Sequence, residues 1–223
     1  MSLFLSVMPF ILSAIVAYLI GSISFSIIIT KLFLKTDVRS HGSGNAGTTN
    51  VLRTAGKLPA ILTLILDFLK AVAAVGIARL LMNIFNSNGN QLLILTVSFV
   101  AGIFCILGHI YPLYFDFRGG KGALTAVALV AIIDWRIFLV EVFIFILIII
   151  ITKYVSAGTV IAAIAYPITT FSLLTFFKVD NALLDALFAL FIAAIVIYKH
   201  KANIKRLLNG TESKIGQKKK DIA

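Results

Sequence analysis

From Met1 to Thr30 the chain carries no charged side chain at all. That leaves few options, because about 20 consecutive apolar residues are enough to cross the hydrocarbon core of a bilayer as a helix. The polar residues of this first segment, about Leu3–Ile29, are all Ser, Thr or Tyr, types that a helix tolerates in lipid. Further apolar segments run at about Leu58–Leu81, with Pro59 suited to its first turn, and at Leu92–Tyr111 after a turn cluster at Asn86–Asn90. Others run at Gly122–Ile133 and at Ile137–Thr152 with Asp134 as its cap, then past a tight turn at Lys153–Ser156 to about Phe177, and from about Ala182 to Tyr198. Charged residues make up only 13% of the chain, where a soluble domain carries roughly a quarter. The sequence therefore reads as an all-α integral membrane protein of seven transmembrane helices, residues 1–223 forming a single domain with a polar basic tail at 210–223. No Lys or Arg precedes the first segment, and the segment is too long for the apolar core of a cleaved signal peptide.

Basic residues orient the spans. If the spans alternate, one side collects Lys31, Lys35, Arg39, Arg53, Lys57, Arg118, Lys121, Lys153 and the eight basic residues from Lys199 onward, sixteen of the twenty in the chain. The positive-inside bias places that side in the cytosol, so the N-terminus is expected outside and the C-terminus inside. The net charge of +11 then lies along a membrane boundary, where it sets topology and meets anionic lipid. No basic stripe is interleaved with aromatics, and nucleic acid is not an expected partner. Cys105 is the one cysteine and sits in an apolar segment, which excludes an internal disulfide and argues against a catalytic thiol.

Every glycine-rich polar stretch falls on the same, cytosolic side. The first, His41 to Arg53, contains Gly42, Ser43, Gly44, Asn45, Gly47, Thr49 and Asn50. Glycines let backbone N–H groups approach a ligand, successive turn N–H groups form an anion-binding concavity, and flanking Arg39, Arg53 and Lys57 add charge that suits phosphate. A merely flexible loop is the alternative. The second stretch runs from Gly108-His109 through Pro112 to Gly119-Gly120-Lys121-Gly122, just before the short fourth segment. A helix N-terminus there offers unpaired N–H groups beside the Lys121 charge. The GxxxxGK[ST] pattern is absent, so ATP hydrolysis is not indicated. His109 reads equally as acid, base or hydrogen-bond donor, or as a structural residue. In the third stretch His200 and Asn203 are i,i+3 neighbours with Arg206 a turn further on. These fit either a ligand or a basic juxtamembrane topology signal. Within the second segment, Asp67 and Lys70 share a helical face, as a structural ion pair bracing a loop or as a substrate contact. The three His and nine acidic residues show no metal-ligand spacing, and no His-x4-Asp acyltransferase pattern occurs.

Together the three stretches resemble the bacterial acyl-phosphate:glycerol-3-phosphate acyltransferases, integral membrane enzymes that begin phosphatidic acid synthesis. The resemblance rests on Gly42 to Asn50 with Arg53, on Gly108 to Gly122, and on His200, Asn203, Ile204, Arg206, Leu207, Gly210 and Glu212. Ala46 stands where proline is common, and Lys153 where arginine is common before Tyr154-Val155-Ser156. The resemblance implies transfer of a fatty acyl group from acyl phosphate to the 1-hydroxyl of glycerol 3-phosphate, giving 1-acyl-glycerol 3-phosphate and phosphate. It implies Ser43, Arg53, Lys121, His200 and Asn203 as catalytic positions. Gly42, Gly44, Asn45, Gly47, Thr49, Asn50, His109, Gly119, Gly120, Gly122, Ser156 and Arg206 are implied as substrate-binding positions. Of these, Ser43, Arg53, Lys121 and Ser156 would hold phosphates, while His200 and Asn203 would bind glycerol phosphate. No metal or cofactor is expected, and the expected state is a monomer in the bacterial cytoplasmic membrane with its active site facing the cytosol. The competing class is a carrier or channel for a phosphorylated anion, which would need access from both faces.

Overall fold

In the computed structural model, which describes residues 3–85 and 89–215, the first apolar segment is two helices rather than one. Helix α1 spans Leu3–Gly21 and α2 spans Phe25–Leu34. Ser24 takes an extended conformation between them. Backbone that leaves the helical ladder inside a membrane must find partners, and the serines supply some of them. Ser22 Oγ donates to the Tyr18 carbonyl at 2.8 Å, and Ser24 Oγ lies 3.1 Å from Ser26 Oγ. The Ile23 carbonyl is taken by Lys70 Nζ at 2.8 Å, from a residue 47 positions away.

Among the described residues all regular structure is helical, and the chain divides into two compact units, Met1–Ile133 and Asp134–Ala223. In the first unit, α3 (Thr48–Ala55), α4 (Lys57–Phe85), α5 (Gln91–Ile110) and α6 (Ala123–Ile133) follow α2. Pro59 sits in the first turn of α4, where its missing N–H is harmless. Asn90 accepts from the Leu92 and Leu93 N–H groups as the cap of α5. The rest of the turn cluster expected at Asn86–Asn90 lies largely outside the described residues, as does Lys218–Lys220.

Small residues let these helices approach closely, as membrane helix packing favours. A Cβ on Gly108 of α5 would lie 2.3 Å from the Tyr18 carbonyl oxygen of α1. Ala71, Ala74 and Ala78 are buried along α4, while Leu64, Ile65 and Leu69 point outward. The apolar exterior suits a lipid surround.

Among the described residues six spans, with α1 and α2 counted together, are long and apolar enough to cross a membrane. The seventh expected span is α6, which has only 11 residues. At 1.5 Å per residue it rises about 16 Å, roughly half the hydrocarbon thickness. Its far end is met by Arg79, which donates to the Ile132 carbonyl at 3.2 Å and to Ser98 Oγ at 2.9 Å.

The second unit comprises α7 (Trp135–Thr152), α8 (Val155–Phe176), α9 (Ala182–Lys199) and α10 (Lys201–Leu208). Asp134 caps α7 as expected, accepting from the N–H groups of Arg136 and Ile137. Lys153, in a left-handed conformation, makes the tight turn into α8. The third polar stretch is not a smooth continuation of α9, because His200 interrupts the helix before α10 begins.

Candidate active site

The first glycine-rich stretch is organised by an amide. Asn50, 1% exposed at the start of α3, has its Nδ2 within 3.1 Å of the carbonyls of Val38, His41 and Asn45, and its Oδ1 accepts from the Ser43 N–H at 2.9 Å. A short helix thereby reaches back and folds the preceding loop around one buried side chain. Gly42 makes room for it: φ there is +58°, and a Cβ would lie 2.2 Å from Asn50 Oδ1. Val38, Ala46 and Val51 sit beneath in an apolar cluster with Ile27 and Ala60. Ser43, Gly44 and Arg53 lie on the exposed side of the loop.

Two ties join this loop to the second stretch. Arg39 forks onto Asp37 and donates from its other nitrogen to the carbonyls of Phe115 at 2.7 Å and Arg118 at 3.2 Å. Burial by itself would raise the Asp37 pKa, but the Arg39 hydrogen bonds and charge outweigh it and hold the carboxyl below its usual value. The other is a close approach at Gly120, whose N–H donates within the second stretch to the His109 carbonyl at 3.0 Å while Gly119 donates to that of Ile110 at 3.1 Å. A Cβ on Gly120 would lie 2.1 Å from His109 Nε2 and 2.7 Å from the Ala46 carbonyl oxygen. Only a bare backbone fits between the histidine and the first loop. Lys121 and Gly122 follow immediately, at the N-terminus of α6.

In the second unit the polar side chains converge on an acid. Glu212 Oε1 accepts from Ser156 Oγ at 2.8 Å and Asn203 Nδ2 at 2.7 Å, and Oε2 accepts from Arg206 Nε at 2.6 Å. Burial pushes the Glu212 pKa upward, yet the three donors and the Arg206 charge together leave it lowered. The segment after α10 is further pinned where the Ile215 N–H meets the Lys153 carbonyl at 2.9 Å. His200, 5% exposed, donates from Nδ1 to the Val196 carbonyl at 2.8 Å, since a carbonyl only accepts. In the neutral ring this leaves the lone pair on Nε2.

A model of the glycerol-3-phosphate acyltransferase family matches residues 11–210. The chain belongs to this family. Among curated relatives, the glycerol-3-phosphate acyltransferase of Clostridioides difficile (strain 630) is 42% identical over 96% of this chain and 100% of its own length. That of Shouchella clausii (strain KSM-K16) is 41% identical over 95% and 98%. The crystal structure of PlsY, an integral membrane glycerol 3-phosphate acyltransferase, in its glycerol 3-phosphate form superposes with a TM-score of 0.76. It shares 35% identity over 93% of this chain and 96% of that one. Its lysophosphatidic acid form gives a TM-score of 0.74 at 34% identity. The all-α integral membrane architecture expected from the sequence is thus that of the acyltransferase family.

Within each unit the structure sorts this family member's candidate residues. In the first, the Gly42–Asn50 stretch and the Gly119–Gly122 stretch are brought together, Asn50 and His109 being engaged in shaping them. In the second, Ser156, Asn203 and Arg206 share Glu212, which sequence reasoning had placed in the family pattern without a role. Arg39 appeared there only as flanking charge, and its tie across to Phe115 and Arg118 had no local signal.

Proposed function

We propose that the chain transfers a fatty acyl group from acyl phosphate to the 1-hydroxyl of glycerol 3-phosphate. The observation that carries this reading is the pair of glycine-lined, cation-bearing loops joined at Gly120 and Arg39, together with family membership over residues 11–210. Both proposed substrates bear phosphate, and the relatives are named for acylating glycerol 3-phosphate.

In the reaction the 1-hydroxyl oxygen attacks the acyl carbonyl carbon, the bond from that carbon to the phosphate oxygen breaks, and inorganic phosphate departs. The hydroxyl proton passes to a substrate phosphate oxygen, so atoms and charge balance without an obligatory protein base. Phosphate is already a good leaving group, and holding the two anions against their repulsion, with donors aimed at the developing charge, supplies the catalysis. Ser43, Arg53 and Lys121 hold phosphate oxygens, with the backbone N–H groups of Gly42–Gly47 and Gly119–Gly122 beside them. Ser156 contributes a further phosphate contact once its one hydroxyl proton turns from Glu212 to the substrate, and His200 and Asn203 bind glycerol phosphate. The protein works as a monomer in a bacterial cytoplasmic membrane, with its N-terminus outside and the loops facing the cytosol.

Purified protein in detergent, given palmitoyl phosphate and glycerol 3-phosphate, is expected to release lysophosphatidate and phosphate in equal amounts. No membrane separates two compartments in that assay, so product formation excludes a carrier. Arg53→Ala and Lys121→Ala are each expected to lower kcat/KM at least tenfold, since a lost charged contact is worth about 1.5 kcal/mol or more. Values within twofold of wild type would remove these residues from the site, and absence of product would refute the reaction.

A further inference from the structure

Beneath the Gly119–Gly120 segment lies a buried ion cluster with no direct part in the chemistry above. Lys70 and Asp67, 5% and 1% exposed, share one face of α4. Lys70 Nζ stands 2.6 Å from Asp67 Oδ1, 2.8 Å from the Ile23 carbonyl oxygen and 3.1 Å from His109 Nδ1. An ammonium carries three protons and no acceptor, and here three acceptors surround it. His109 Nδ1 must therefore receive the hydrogen bond, which leaves the imidazole proton on Nε2. That Nε2 edge borders the narrow space at Gly120, opposite the Ala46 carbonyl.

A buried ion pair is weak evidence for stability, because desolvation offsets most of its Coulomb energy. Its value lies in register. One ammonium joins the α1–α2 break, α4 and the end of α5, and the last of these carries the histidine against which the second loop rests. The Gly120 N–H is bonded to the His109 carbonyl, so a shift of His109 away from Lys70 would carry the second loop with it.

We propose that Asp67, Lys70 and His109 form a positioning latch that sets the spacing between the Ser43–Arg53 loop and the Gly120–Lys121 loop. The three are positioning residues: they act on phosphate groups through the loops and do not touch the reacting atoms. The proposal rests on the reading of the loops as phosphate-binding, and gives His109 a role distinct from substrate contact. Misplacement by about 1 Å in such a site can lower rates about a hundredfold, so a rigid support has functional value.

The test uses full-length protein in detergent with three variants. Asp67→Asn/Lys70→Met removes both charges together and leaves no unpaired ion, His109→Leu removes the ring, and His109→Asn returns an acceptor for Lys70 near the Nδ1 position. The first two are expected to raise KM for glycerol 3-phosphate or palmitoyl phosphate about tenfold, with a smaller fall in kcat and an unshifted pH–rate profile. His109→Asn is expected to return KM to within about threefold of wild type, as an acceptor in the same place should. In parallel, the rise in unfolding temperature produced by inorganic phosphate is expected to shrink in the first two variants and persist in His109→Asn. This second readout needs no turnover. A wild-type protein stabilised by phosphate but forming no lysophosphatidate would refute the acyl-transfer reading and leave the latch standing. Unchanged KM and phosphate response in both disabling variants, a pH limb lost with His109, or no phosphate stabilisation of the wild type would each overturn the latch.

Discussion

The two units hold their polar stretches in opposite ways. In the first, the loop from Val38 to Asn45 is folded around a neutral amide, Asn50, and closed against the next loop through a glycine and a histidine. In the second, Ser156, Asn203 and Arg206 are gathered by one carboxylate, Glu212, donated from the segment that follows α10. A neutral hub shapes backbone without neutralising the cations around it, which suits a cradle for anions. An acidic hub fixes side chains firmly through charge-assisted bonds, but makes that fixation depend on its own ionisation. The Asn50 hub has no group to titrate, so acid reaches the first loop only through the Asp37–Arg39 pair, whereas in the second unit it acts on the hub itself.

The sharpest way to break this contrast is at Asn50. Asn50→Leu leaves the Ser43 N–H without its partner, at a cost of about 1–3 kcal/mol, and reduces the Val38, His41 and Asn45 carbonyls to the single backbone hydrogen bonds they accept from His41, Gly44 and Gly47. Loss of most measurable activity, on the order of a hundredfold in kcat/KM if the loop merely loosens, is expected from steady-state assays. Activity within threefold would mean the loop holds its shape without the amide.

Next in size is Glu212→Gln. The amide can still accept from Ser156 and Asn203 but loses the ion pair with Arg206, for which about a tenfold fall in kcat/KM is expected from the strength of one charge-assisted bond. The same variant tests the acid sensitivity. A carboxyl whose folded pKa lies below its ordinary value of 4.5 stabilises the fold fully above that value and loses the contribution as pH falls through the lowered pKa. Limited proteolysis of the wild-type C-terminal segment is therefore expected to accelerate below about pH 4.5, while Glu212→Gln cleaves at a rate that changes little with pH over that range. Parallel pH dependence in the two proteins would deny the carboxylate its role as hub.

The smallest expected effect is at Arg39→Lys. An ammonium cannot both fork onto Asp37 and reach the Phe115 and Arg118 carbonyls, yet the pair is partly exposed, where ion pairs are worth about 0–1 kcal/mol. A rise of no more than about threefold in KM is expected. A tenfold rise would show that Arg39 carries as much of the loop spacing as the buried latch does.

Much of this molecule was legible from residues alone. Apolar runs located the spanning helices, though not α3 or α10, because hydropathy over about 20 residues is a local property that lipid imposes on each span separately. The Asp134 cap, the Pro59 start of α4 and the tight turn at Lys153 followed from the chemistry of neighbouring positions. The glycine-rich stretches pointed to anions because the freedom of their backbone is written in the residue types. Partners were not legible. The first apolar segment gave no hint of breaking at Ser24, since the serines there read equally as tolerated polar residues in one helix, and the break is sustained by Lys70 from 47 residues away. The assignment of Ser156 to Glu212 spans 56 positions and that of His109 to Lys70 spans 39. Hydrogen bonds act over about 3 Å, so which polar groups satisfy one another is decided only when packing has brought distant segments together. Sequence by itself determined where this chain meets lipid and where glycine leaves its backbone open. Tertiary structure decided which side chains shape those openings, because a buried polar group must find a partner and the nearest one in space is seldom the nearest in the chain.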